Sequence, residues 1–87
     1  MKEFLEFLVK GIVSKPEEVE ISEAQSDSIF VYNIHVSDED MGVVIGKDGK
    51  TIRSIRNMAK AKAIKDNIRI QIILEEAEQD SSDFSQE

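Results

Sequence analysis

Residues 42–51 read GVVIGKDGKT, and two incompatible devices compete for them. The closing GKT is the way a nucleotide-binding phosphate loop ends, while Gly46-Lys47-Asp48-Gly49 is a Gly-x-x-Gly turn that could bring backbone close to phosphates. A phosphate loop of the form GxxxxGK[ST] needs a glycine five positions before Gly49, and Val44 stands there. Such a loop also leaves a strand directly, whereas Ser37 opens a helical pattern over residues 38–45 that stops at Gly46. The acidic start at Asp38 resembles a calcium loop, but Val43 and Gly49 occupy its sixth and twelfth positions, so that spacing fails as well. The Gly-x-x-Gly reading is the one that survives.

Its flanks give it a setting. Ser37 with Asp40 forms a weak capping box, and Val36 with Met41 is spaced as a hydrophobic staple. After the turn, Ile52, Ile55, Ala59 and Ala63 make one helical stripe with Met58 beside it, while Arg53, Arg56, Lys60 and Lys62 lie elsewhere. Asp66-Asn67 breaks this helix, and IRIQIIL alternates Ile68, Ile70, Ile72 and Leu74 inward with Arg69 and Gln71 outward, as a strand does. Upstream, IFVYNIHV puts Phe30, Tyr32, Ile34 and Val36 on one face of a strand, with Ile29, Val31, Asn33 and His35 on the other. The polar QSDS before it is short enough to imply an antiparallel hairpin with EEVEISEA, whose charges suit a sheet edge. The first segment places Phe4, Leu5, Leu8, Val9 and Ile12 on one stripe of a helix that Lys15-Pro16 is expected to end.

The expected order is helix, strand, strand, helix, helix, strand: an α+β domain whose three-stranded mixed sheet is covered on one face by three helices. In this setting VIGKDGKTI resembles the KH signature VIGxxGxxI, matched by Val44, Ile45, Gly46, Gly49 and Ile52. The likeness spans residues 2–74, and the extra helix and strand before the signature resemble the type II arrangement. The chain looks most similar to the small bacterial single-KH RNA-binding proteins of the KhpA family. That resemblance implies an RNA chaperone or post-transcriptional regulator, acting alone or with a larger KH-domain protein, and the absence of cysteine makes the cytoplasm the expected compartment. It also implies single-stranded RNA as the ligand, with no catalysis, no cofactor and no small-molecule substrate. Residues 75–87, EEAEQDSSDFSQE, carry six acids and no base, and are expected to form a disordered acidic tail outside the domain.

Composition agrees. Eighty-seven residues form one small domain, without room for a multi-lobed enzyme. There is no cysteine and one histidine, which excludes disulfides and thiolate chemistry and means that a zinc site would need carboxylates to dominate; none is expected. Glu3, Glu6 and Lys10 interrupt the apolar start, so neither a signal peptide nor membrane insertion is expected. The net charge of −7 argues against a polyanion only until it is mapped. Residues 47–69 hold eight bases (Lys47, Lys50, Arg53, Arg56, Lys60, Lys62, Lys65, Arg69) against Asp48 and Asp66, a local net of +6. The remainder, with three bases and sixteen acids, carries −13. Such polarity presents one cationic face while the rest of the molecule repels the ligand.

The candidate RNA-binding residues are Val44, Ile45, Gly46, Lys47, Asp48, Gly49, Lys50, Ile52, Arg53 and Arg56. Two glycines permit a tight reversal and close approach of phosphates to peptide amides at a helix start, and Lys47, Lys50 and Arg53 add charge. Val44, Ile45 and Ile52 are expected to floor the groove for about four nucleotides, with base edges met by backbone of the third strand. Blander roles stand beside these: the glycines as a helix corner, Ile45 and Ile52 as core, Asp48 as a helix cap, and Arg56, Lys60, Lys62 and Lys65 as a solvated face. A different class also stays open. Ile29, Val31 and Ile73 lie on the helix-free sheet face, and a protein-interaction module would use them to pair with itself or another protein, a homodimer being the expected assembly.

Overall fold

The computed structural model describes residues 1–75, arranged around the central strand β2 (Ile29–His35). β2 pairs antiparallel with β1 (Glu20–Ser26) and parallel with β3 (Arg69–Leu74), so the sheet order is β1-β2-β3 and both β1 and β3 are edges. A hairpin needs only a turn, but a parallel return needs a long crossover. Here the crossover is α2 (Asp38–Ile45) followed by α3 (Lys50–Lys65), and α1 (Lys2–Lys10) precedes the hairpin. The α-β-β-α-α-β order and the mixed three-stranded sheet are those the residue pattern implied.

Register fixes which residues meet the helices. Ile21 lies opposite Ile34 and Tyr32 opposite Ile72; all four are buried with Leu5 and Val9 of α1, Val44 of α2, and Ile52, Ile55 and Ala59 of α3. Ser22, Asn33 and Ile73 share a row on the opposite, helix-free face. Tyr32 is core, its hydroxyl donating to Glu23 Oε2 at 3.1 Å, and burial pushes the phenol up to about 12.

Three local expectations need correction. The hairpin turn is shorter than QSDS: Gln25 and Ser26 remain paired, and only Asp27 and Ser28 turn, Asp27 at φ 57°. α1 ends at Lys10 rather than at Lys15-Pro16, and Ile12 is 40% exposed. The capping box also fails, because the Ser37 side chain caps no backbone amide of α2.

Asp40 explains the last two. Its carboxylate accepts from the Ser14 amide (2.9 Å), the Ser14 hydroxyl (2.7 Å), the Lys15 amide (3.0 Å) and the Ser37 hydroxyl (3.1 Å). The amides that would have extended α1 are thus drawn to α2, and Ser37 donates to Asp40 instead of capping. Those donors, the Ser14 amide foremost, hold the Asp40 carboxyl below the usual carboxylate range. The same clamp fixes the start of α2, and so the position of the glycine joint at its other end.

Candidate nucleic-acid interface

The joint between α2 and α3 is built from left-handed backbone. Gly46 closes α2 with its amide on the Gly42 carbonyl (2.8 Å) and sits at φ 77°, ψ 172°, a region open essentially to glycine alone. A Cβ there would come within 2.6 Å of Thr51 Cβ and 2.8 Å of the Thr51 nitrogen, so Gly46 is required by packing as well as by backbone. Lys47–Gly49 form one 3₁₀ turn, and Asp48 and Gly49 both have positive φ, 57° and 73°. Gly49 differs from Gly46 in that a Cβ would meet nothing within 4 Å: it faces open space. The expected cap role of Asp48 is not found, since Gly49 is the N-cap of α3 and no side chain caps it. Aspartate tolerates the left-handed region better than most residues, which accounts for Asp48 without a cap.

The two helix starts at either side of this unit are opposite in charge. α2 begins with Asp38, Glu39 and Asp40, which compensate its positive end; α3 has no acid in its first turn and carries Lys50 there. Thus the open amide end of α3, next to the Gly49 space, adds to the field of Lys47 and Lys50, both exposed.

One turn beyond Gly49 a groove of about 360 Å³ opens between α3 and β3, lined by Arg53, Arg56, Asn57, Lys60, Ile70, Gln71 and Ile72. Arg53, Asn57 and Lys60 recur at helical spacing, so one face of α3 forms one wall. The other wall is an edge strand whose outer backbone groups have no strand partner among the described residues. Among the described residues no carboxylate lines this groove. Among the described residues Lys47, Lys50, Arg53, Arg56, Lys60, Lys65 and Arg69 make no ion pair. Lys62 differs: it pairs with Asp66 at 3.3 Å and lies 5.8 Å over the Phe4 ring, so it ties α3 to α1.

The apolar floor is not the expected one. Val44 is fully enclosed and Ile52 is 7% exposed, so both support the joint from within the core; Ile45 is half-buried. The groove's apolar wall is Ile70 and Ile72, which alternation had assigned wholly to the interior. Sequence reasoning also missed Asn57 and Gln71 as groove residues. Asn57 was legible as the position four beyond Arg53 and three before Lys60. Arg56 and Lys60, left open as a solvated face, stand in the groove wall.

A three-helix, mixed three-stranded domain in this order, with a Gly-x-x-Gly joint at positive φ between its second and third helices, defines a KH domain of the type II arrangement. Comparison with known proteins narrows the class. The family described as KhpA/KhpB, KH domain matches residues 2–74. The RNA-binding protein KhpA of Chlamydia trachomatis is 43% identical over 77 residues, 87% of this chain and 99% of the relative. That of Clostridium perfringens is 43% identical over 70 residues, covering 80% and 93%, and that of Thermotoga maritima 49% over 61 residues, covering 70% and 81%. The chain belongs to the KhpA/KhpB KH-domain family, which is non-enzymatic. Among the described residues no helix is long and apolar enough to cross a membrane.

Proposed function

We propose that this chain is a non-catalytic, cytoplasmic single-stranded RNA-binding protein that grips about four nucleotides along the GKDG turn and the α3/β3 groove. Its role is that of an RNA chaperone or post-transcriptional regulator. The observation that carries this reading is a groove with cations on one wall, aliphatic surface and an edge strand on the other, and, among the described residues, no carboxylate between them. Phosphates meet the amide end of α3 with Lys47, Lys50 and Arg53; bases lie against Ile70 and Ile72, with Asn57, Gln71 and the edge backbone within reach of their polar rims. Names of relatives support the ligand class, since each is an RNA-binding protein.

Fluorescence anisotropy of a short labelled single-stranded RNA, across a salt series, tests the reading with the native chain and Lys47→Asp. Expected is binding that weakens by about 0.7 log units per log unit of salt for each phosphate contact, and a large loss in the variant. Equal binding by both proteins removes the turn from the site. A DNA strand of the same sequence, run in parallel, reports whether the 2′-hydroxyl contributes.

A second reading rests on the helix-free sheet face, where Ile29 and Val31 are half-buried and Ile73 is 38% exposed. This face would pair two copies, or one copy with a larger KH-domain protein. Sedimentation with and without RNA separates the two, since an interaction module associates regardless of RNA.

A further inference from the structure

The α3/β3 groove does not stop at Lys60. A second hollow of about 200 Å³ continues from it, lined by Lys60, Ala63, Ile64, Ile68, Arg69 and Ile70. Lys60 and Ile70 belong to both, so the two are one track. Ile64 lies four residues after Lys60 and so extends the face of α3 that already carries Arg53, Asn57 and Lys60.

Ile64 is 79% exposed, the most exposed of the large apolar side chains described. Folding does not account for it. The buried stripe of α3 is Ile52, Ile55, Ala59 and Ala63, and a β-branched residue on a solvent face is a poorer helix former than the lysines around it. Immediately after it the chain reverses in a Schellman turn: the Asn67 amide bonds the Ile64 carbonyl at 3.1 Å, the Ile68 amide bonds the Ala63 carbonyl at 2.9 Å, and Asn67 has φ 61°. That turn seats Ile68 beside Ala63 and brings Arg69 back toward Lys60, leaving Ile64 as one side of an aliphatic hollow with a cationic rim.

We propose that this hollow is a further nucleotide subsite, so that the bound strand runs past the four-nucleotide site, with an additional base against Ile64 and Ile68 and its phosphate between Lys60 and Arg69. The proposal rests on the RNA-binding reading above and extends it. Charge selects this occupant over a second copy of the chain. A two-fold contact would bring the Lys60 and Arg69 rim against the same rim of its partner, whereas a polyanion neutralises it. Continuity with the first groove selects the same strand over a separate ligand.

The test is a length ladder of single-stranded RNA, from four to eight nucleotides, titrated against the full chain, Ile64→Ser and Arg69→Gln at fixed low salt, with circular dichroism confirming that each is folded. Ile64→Ser changes an exposed helical position between residues of similar propensity, so the fold is kept. Expected is roughly a tenfold gain for the native chain between four and six nucleotides, the scale of one added base contact. Ile64→Ser should remove that gain and leave the four-nucleotide affinity unchanged. Arg69→Gln should lower the salt slope by about 0.7 with the six-nucleotide strand only. A native gain that Ile64→Ser does not reduce, or equal weakening of four- and six-nucleotide strands, overturns the subsite while leaving the first groove in place. Failure of the native chain to bind any length overturns both readings. Sedimentation that shows a native dimer dissolved by Ile64→Ser assigns the hollow to a second copy instead.

Discussion

The sheet has a hollow at each edge, and the larger is the wrong one for a polyanion. Between α1 and β1 lies a space of about 430 Å³ lined by Lys2, Glu6, Glu20, Asn33, His35 and Glu75 among others, with His35 Nδ1 3.3 Å from Glu75 Oε1. Between α3 and β3 the space is about 360 Å³. Among the described residues the first mixes three carboxylates with one lysine and one histidine, while the second holds Arg53, Arg56 and Lys60 and no acid. Volume therefore does not pick the site in this fold. What distinguishes the two edges is the sign of the field and the glycine joint at the head of only one of them.

Reversing that field is the strongest way to break the contrast. Arg53→Glu with Lys60→Glu should weaken RNA binding roughly a hundredfold or more, because like charge is set directly against phosphate. Glu6→Gln with Glu20→Gln, at the other edge, should leave it within about twofold. Anisotropy at one salt concentration reads both.

The joint comes next. Gly46→Ala forces a side chain into a glycine-only region and onto Thr51, and should cost about 1–3 kcal/mol from the backbone alone, lowering Tm by roughly 4–8 °C per kcal/mol. Gly49→Ala meets no neighbour, so it should cost only about 1–2 kcal/mol for its left-handed backbone and yet, if RNA lies along the turn as proposed, lose RNA affinity, since its methyl group enters the open space beside the α3 amides. Thermal unfolding and anisotropy on the same two proteins separate these effects.

Asp40 tests the scaffold that both edges share. Its folded-state pKa is depressed, so its contribution is present above the unfolded value and is lost as pH falls through the folded one. Asp40→Asn should lower Tm clearly at pH 7, where an amide turns donors toward the Ser14 and Lys15 amides. The gap from the native chain should narrow as the pH falls below about 4. The smallest effect is expected of the acidic segment, residues 76–87, whose five acids lie outside the described residues. If they compete with RNA for the basic edge, removing them should raise affinity a few-fold at low salt and not at all at high salt.

Most of the fold was legible because its signals are local and agree: alternation in residues 29–36, a 3.6-residue stripe in residues 52–63, and a glycine joint between them. What was not legible depends on long-range partners. The end of α1 is set by Asp40, 25 and 26 residues from the amides it accepts, and Ser37 follows Asp40 rather than its own helix. In the candidate site, the glycine joint of Gly46 and Gly49 and the cations Lys47, Lys50, Arg53 and Arg56 follow from spacing and charge. Val44 and Ile52 are buried, which the pattern left open because an apolar residue at a turn reads alike whether it faces in or out. Ile70 and Ile72 were missed for the converse reason: β3 is an edge strand, so its inward residues also wall a groove, and edge position is a property of sheet order rather than of the strand's own pattern.

The central claim is that RNA lies along the glycine joint and the α3/β3 edge. Titrating the ¹⁵N-labelled chain with a short single-stranded RNA and following amide shifts tests it directly. The account predicts that the amides of Gly46, Lys47, Gly49 and Thr51, and those of Ile70, Gln71 and Ile72, move together in one saturable process, while Glu20, Ser22 and His35 stay still. Shifts confined to the α1/β1 hollow or to the helix-free face around Ile29, Val31 and Ile73 would contradict it.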